Sequence, residues 1–196
     1  MNRILRVASI LPVLLVWAGS VSAQVELKPG IGLNFSGVSK DPQMGEASAQ
    51  VGWQFGGTIA FGERLYGEGG VFHVKKSTKF TSTSSTNLNF KTGISGVRIP
   101  ALVGFRLIGD HKEMLGLRIF GGGSAFIVTS VSAVGLSKAD FKSPAWGVFA
   151  GAGADLFIFY LDLKYEWSVT DVSKLSTVDI GQSRSFFLTA CVRLPL

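Results

Sequence analysis

Charge is what this chain has least of. Only 16% of its 196 residues are charged, against about 25% in an average soluble domain, and its mean hydropathy is +0.35. Groups that hold a surface in water are scarce. A single cysteine, Cys191, excludes an internal disulfide and reads as a small packing residue. Two histidines, His73 and His111, supply no metal-ligand cluster, and no G-x-x-x-x-G-K loop or nucleotide fingerprint occurs. Beyond the N-terminus there is no run of about 20 apolar residues able to cross a bilayer as a helix. No segment has convincing amphipathic-helix spacing. A membrane protein with this sequence has to cross with strands.

The first residues read as a secretory signal. Arg3 and Arg6 form the positive region, Ile10 to Trp17 the apolar region, and Val21-Ser22-Ala23 a small-residue cleavage site. Residues 1–23 are therefore expected to be a cleaved signal peptide and 24–196 one β-barrel domain, with Gln24 the mature N-terminus. No cysteine near the cut points to a lipoprotein. Removing Arg3 and Arg6 leaves 17 basic against 13 acidic residues, a net +4. With so few charges in total, that excess is no nucleic-acid footprint.

What is present is alternation. In YLDLKYEWSVT, from Tyr160 to Thr170, Leu161, Leu163, Tyr165, Trp167 and Val169 share one face, and Asp162, Lys164, Glu166, Ser168 and Thr170 share the other. Side chains on a strand alternate with a period of two, so this is a strand with one apolar and one polar surface. The same pattern predicts strands over Leu27–Ser36, Ala49–Phe61, Leu65 to about Lys76, Ile94–Leu107, Leu115–Ser130, Ala145–Leu156 and a last strand ending the chain. Pro100, unable to donate to a ladder, predicts a bulge. The stretches Val38–Ser48, Ser77–Thr92, Val131–Pro144 and Asp171–Arg184 read as loops. Gly121-Gly122-Gly123 lies within a strand and reads as close packing or curvature. Long and short connections alternate, as in an eight-stranded antiparallel up-and-down barrel with one end in the periplasm and the other outside. An even strand count puts both termini at the short-turn, periplasmic end.

Alternation alone does not say which face meets water, but composition does. The polar face is mostly Gly, Ser, Thr and Ala, a poor water-exposed surface but a good filling for a narrow lumen. The fold class expected is therefore all-β, a transmembrane barrel with the apolar face outward. An interior ion-pair network of Lys28, Glu68, Arg98, Arg106, Arg118, Asp155, Asp162, Lys164, Glu166 and Arg193 follows, six cations facing four anions. Charges in so confined a space must pair or be hydrated. They read as a polar plug, with a conducting pore or proton relay as the rival. Trp53, Trp146, Tyr165 and Trp167 lie near strand ends, where an aromatic girdle belongs.

KPGIGLNFS at Lys28 to Ser36, RIPALVGFRL at Arg98 to Leu107, GVFAGAGADL leading into YLDLKYEWSVTDVS, and the terminal FFLTACVRLPL resemble the PorT-like outer-membrane β-barrel family of Bacteroidetes-type bacteria, over essentially the whole mature chain. The resemblance implies an eight-stranded outer-membrane barrel and adds a link to secretion. Together these readings favour a non-enzymatic, monomeric outer-membrane barrel with a structural or docking role. Its expected partners are outer-membrane lipid and a protein bound through the extracellular loops; no cofactor, metal, nucleic acid or catalytic residue is assigned. The rivals are a lipid-modifying hydrolase, with His73 as base and Ser82 or Ser84 as nucleophile, and a soluble lipocalin-type barrel. His111, among Asp110, Lys112 and Glu113, reads as a solvated turn residue.

Overall fold

A computed structural model describes residues 25–38, 45–82, 89–109, 114–132, 143–170 and 183–196. The segment expected to be a signal peptide, and His111, lie outside them. Eight antiparallel strands run in chain order: β1 Val25–Val38, β2 Gly45–Gly62, β3 Leu65–Ser82, β4 Asn89–Ile108, β5 Leu115–Ser132, β6 Ala145–Leu156, β7 Phe159–Ser168 and β8 Ser183–Val192. A two-residue piece, β9 Leu194–Pro195, continues β8 past Arg193 and pairs with β1 in the same register. Each strand pairs with its sequence neighbour, and β1 pairs with both β2 and β8. The sheet is closed.

Closure fixes the geometry. Following cross-strand partners around the barrel gives Glu26, Ala60, Glu68, Leu102, Gly122, Phe149, Glu166, Ser185 and then Ser36, which is on β1 ten residues beyond the start. A shear of ten over eight strands tilts them by about 40°. With the usual spacings, each residue along a strand then rises about 2.5 Å along the barrel axis, and each step across the sheet from β1 toward β8 rises about 3 Å.

The outward face is apolar from one rim to the other. Ile31, Leu65, Val103 and Trp146 are 58–68% exposed, while the alternate residues Glu26, Lys28, Arg98 and Arg118 are at most 1% exposed. Down β6, outward residues run from Trp146 to Leu156, a height of about 25 Å at the rise just given, which matches the apolar band of a membrane barrel. At the same rise Trp53, Trp146 and Trp167 fall on one level within about 3 Å, at the long-loop end. Tyr165 lies below Trp167, its ring 4.6 Å from that indole and 5.6 Å from Phe186. At the short-turn end the outward residues are Phe and aliphatics such as Phe61, Phe105, Leu115 and Phe159.

Glycine and phenylalanine fit together inside. A Cβ on Gly96 would lie 2.8 Å from Phe126 Cε2, on Gly151 2.8 Å from Phe120 Cζ, and on Gly56 3.0 Å from Phe72 Cδ1. Bare backbone on one wall thus makes room for a ring from another. Phe72, Val74, Phe126, Val128 and Phe187 form one interior cluster, and Ala60, Tyr66, Leu102, Phe120 and Phe149 a second.

Two expectations are corrected. The Ser/Thr-rich segment is largely paired: Thr78 faces Thr92, Lys79 faces Lys91, Phe80 faces Phe90 and Thr81 faces Asn89, while Gly45 to Ala49 pairs with β3 on its other side. Ladder hydrogen bonds join main-chain groups, so the pairing runs on through a Ser/Thr-rich sequence that has no apolar alternation to mark it. Residues 83–88 lie outside the description. Pro100 produces no bulge. Pairing of β3 with β4 lapses between Gly69↔Ala101 and Phe72↔Arg98 but resumes in the same register, and the register shifts of β4 fall against β5 at Ser95/Gly96 and Arg106/Ile108.

Candidate functional site

The inward parity of the strands gathers the ionisable side chains in the closed lumen, where they sort into two groups. The larger group fills the short-turn half. Arg118 donates from Nη2 to Asp162 Oδ1 at 2.7 Å, and its Nε lies 2.6 Å from Asp155 Oδ1, an ion pair set off the hydrogen-bonding line. Lys164 Nζ is 3.1 Å from the other oxygen of Asp162. Lys28 Nζ donates to Glu68 Oε2 at 2.7 Å and stands 3.8 Å from Glu26. Glu26 also takes Arg106 Nη2 at 3.3 Å and the Tyr160 hydroxyl at 3.1 Å. The cations lie on rings as well: Arg118 is 4.2 Å and Lys28 4.6 Å from the Tyr160 centroid, and Lys28 is 5.2 Å from that of Tyr66.

The second group sits nearer the long loops. Arg98 is bonded through Nε and Nη2 to Glu166 Oε2, and Ser124 Oγ donates to the same oxygen at 2.7 Å. The guanidinium lies 4.6 Å from the Phe187 ring centroid and 5.1 Å from Phe149. No ion pair joins Arg98 or Glu166 to the larger group. By ion pairs the expected single network is three sets, two of which meet in the larger group through the hydroxyl and ring of Tyr160.

Nine of the ten expected residues are buried inward. Arg193 is the exception and is corrected: it is half-buried in the break between β8 and β9, lies 5.8 Å from the Tyr160 centroid, and makes no carboxylate pair among the described residues. Sequence reasoning missed Glu26, Lys76, Tyr66 and Tyr160. Glu26 shares the parity of Lys28 and had only been cut off by starting the strand at Leu27. Tyr160 shares the parity of Asp162. Lys76 shares that of Glu68; its ammonium meets Ser185 Oγ at 3.2 Å and the rings of Phe126 and Phe187. With Glu26 added and Arg193 at the rim, five paired cations balance five carboxylates. Lys76 and Arg193 stand at the two mouths.

Pairing of this kind makes each partner costly to remove alone. Glu166→Gln keeps the size of the side chain but leaves the guanidinium of Arg98, 1% exposed, without a carboxylate, and should cost about 3 kcal/mol of unfolding free energy. Arg98→Met combined with Glu166→Leu should cost less than that single change, because replacing both ions removes the desolvation penalty with the pair. Urea titration of the vesicle-embedded variants measures both; a double variant weaker than Glu166→Gln would contradict the assignment.

Of the rival residues, His73 and Ser82 are not brought together. The His73 ring packs 5.7 Å from Trp53 and 5.3 Å from Phe55 on the outer face. Ser82 is nine residues further along the same strand, about 30 Å away. Ser84 and His111 lie outside the described residues. Among the described residues no three metal-ligating side chains cluster.

Apolar outside, ion-paired within, closed by eight antiparallel strands: this is the fold of the outer-membrane β-barrel proteins. The solved structures it matches include OprG of Pseudomonas aeruginosa, at a TM-score of 0.54 and 11% identity, covering 87% of this chain and 93% of that one. Ail of Yersinia pestis, solved with the heparin analogue sucrose octasulfate, aligns at 0.47 and 17% over 87% and 99%. Neisserial surface protein A aligns at 0.46 and 13% over 90% and 100%. No family model and no curated protein matches the chain.

Proposed function

We propose that the protein is a non-enzymatic outer-membrane barrel that acts through its long-loop end. The observation that carries this is the lumen, in which five cations and five carboxylates pair among interleaved aromatic rings. Eight strands leave an interior just wide enough for side chains to fill, and filled in this way it is a plug. With termini in the periplasm, the long connections face outward and are the surface left for a protein partner. The chain works as a monomer, since its outward face is matched to lipid. A secretion-associated role, which the PorT-like motifs imply, is a narrower form of this reading.

Planar-bilayer recording tests the plug. The purified protein should insert without giving unitary current steps, whereas discrete steps that change size in Glu166→Gln would replace the plug with a pore. A shift in electrophoretic mobility between unheated and boiled samples from the outer-membrane fraction tests the location. A soluble protein lacking that shift would overturn it.

A further inference from the structure

Beyond the tryptophans, toward the long loops, the outward face of β3, β4 and β5 changes character. Lys75, Ser95 and Ser130 are cross-strand partners in one row, and Ser77, Gly93 and Ser132 in the next. Lys75, Ser130 and Ser132 are exposed and the other three half-buried. Ile94 and Val131, which alternate with them, pack on the interior cluster of Phe72 and Phe187. Gly93 leaves a notch at the centre of the second row. A Cβ there would have only Lys75 Cε and Ser132 Cβ as neighbours, each at 3.9 Å, so the lysine stem leans diagonally from its own row into the gap. Neither that ammonium nor any of the serine hydroxyls has a hydrogen-bond or ion-pair partner among the described residues. Thr129 differs, its hydroxyl donating to the Ser95 carbonyl at 3.1 Å. By register, the next two rows set Lys79 against Lys91 and then Thr81 against Asn89 and Glu46. Positive charge is in excess along this ladder.

Height decides what reaches this notch. Gly93 lies two steps across the sheet and two residues along it from Trp53, about 10 Å nearer the long-loop end at the rises given above. Interfacial tryptophans mark the edge of the hydrocarbon, and the headgroup layer beyond it is about 5–7 Å deep. A phosphodiester next to the glycerol stays below the notch, whereas a phosphate carried on a sugar reaches it. On the membrane side of the first row the face continues as Phe55, His73, Val97 and Ile127, with the His73 ring against Phe55 and Trp53. That is a surface for acyl chains. We propose that this face binds an outer-leaflet lipid whose headgroup is a phosphorylated sugar, with its phosphomonoester in the Gly93 notch. Lys75 supplies the charge, and the serine hydroxyls, free to rotate, donate to the phosphate oxygens. The missing side chain of Gly93 lets the phosphate come close to the sheet. This rests on the reading of the chain as an outer-membrane barrel with its long loops outward.

Native mass spectrometry of the protein released from detergent micelles tests the site. The probe is phosphatidylinositol 4-phosphate, and the reference is phosphatidylinositol, which lacks the ring phosphate. The phosphorylated lipid should form adducts with about fivefold or greater preference, since one lysine beside an anionic lipid is worth roughly that factor. Lys75→Gln should bring the preference to near one. Gly93→Val, whose Cβ would meet nothing closer than 3.9 Å, should fill the notch and lower the preference as well, and both variants should keep the mobility shift on boiling. Arg184→Gln, on β8, should leave the preference unchanged. A preference that survives Lys75→Gln, or that falls as far in Arg184→Gln, would overturn the site in favour of diffuse charge attraction. Soluble inositol 1,4-bisphosphate displacing the lipid at equal concentration would overturn the lipid as occupant and put a water-borne sugar phosphate in its place. Each of these outcomes leaves the barrel reading intact, whereas a wild-type protein with no mobility shift would overturn both.

Discussion

Arg118→Met is expected to lose about 3–5 kcal/mol of unfolding free energy, the range for removing one partner of a buried ion pair. The residue is 0% exposed and reaches two carboxylates from different strands, Asp155 on β6 and Asp162 on β7. Asp162 keeps Lys164 at 3.1 Å; Asp155 has no second ion pair among the described residues and bears most of the cost. A native domain is stable by only about 5–15 kcal/mol, so much of the protein should run at the unfolded position even without boiling. Arg118→Lys should rescue only part, because one ammonium does not reproduce a planar fork aimed at two acids. Adding Asp155→Asn to Arg118→Met should recover stability by removing the stranded charge. Urea unfolding followed by tryptophan emission measures all three, and a single Arg118→Met variant unfolding at the wild-type urea concentration would refute the central role given to this residue.

The faces of the strands were legible in the sequence and the partnerships were not. Along β6 and β7 every outward and inward residue is assigned by parity, because Trp146 to Leu156 and Leu161 to Trp167 alternate without interruption. The scarcity of charge then turned the apolar face outward. Parity says nothing of height, however. Arg98 meets Glu166 across 68 residues and Tyr160 meets Glu26 across 134, and both meetings depend on a shear that only the registers of all eight strands together define. That is why one expected network is divided, and why six cations against four carboxylates became five against five once Glu26 was included and Arg193 lay at the rim. The extension of β3 and β4 into the Ser/Thr-rich segment was hidden for a different reason, since main-chain pairing needs no apolar alternation and that sequence has none.

Gly122→Val is expected to cost about 3 kcal/mol or more and to prevent closure of the barrel at β4 and β5, while Gly121→Ala and Gly123→Ala are expected to stay near wild type. Three successive glycines look alike in sequence; in the structure they do not. A Cβ on Gly121 would lie 3.5 Å from the Phe149 carbonyl oxygen and one on Gly123 3.6 Å from that of Gly147, both ordinary contacts. On Gly122 it would collide with the Ala101 carbonyl oxygen and come within 2.7 Å of Leu102 Cα. These are backbone atoms of the paired strand, which cannot swing aside as a side chain can, so the overpacking strain falls on the ladder itself. Gly122 faces Leu102 in the circuit that sets the shear, and the absence of a side chain there is what lets β4 and β5 come so close. Comparing the three variants by refolding yield into vesicles separates the readings. Similar losses at all three positions would mean that the glycine run acts through backbone flexibility, whereas a loss confined to Gly122 ties it to the close approach of two strands.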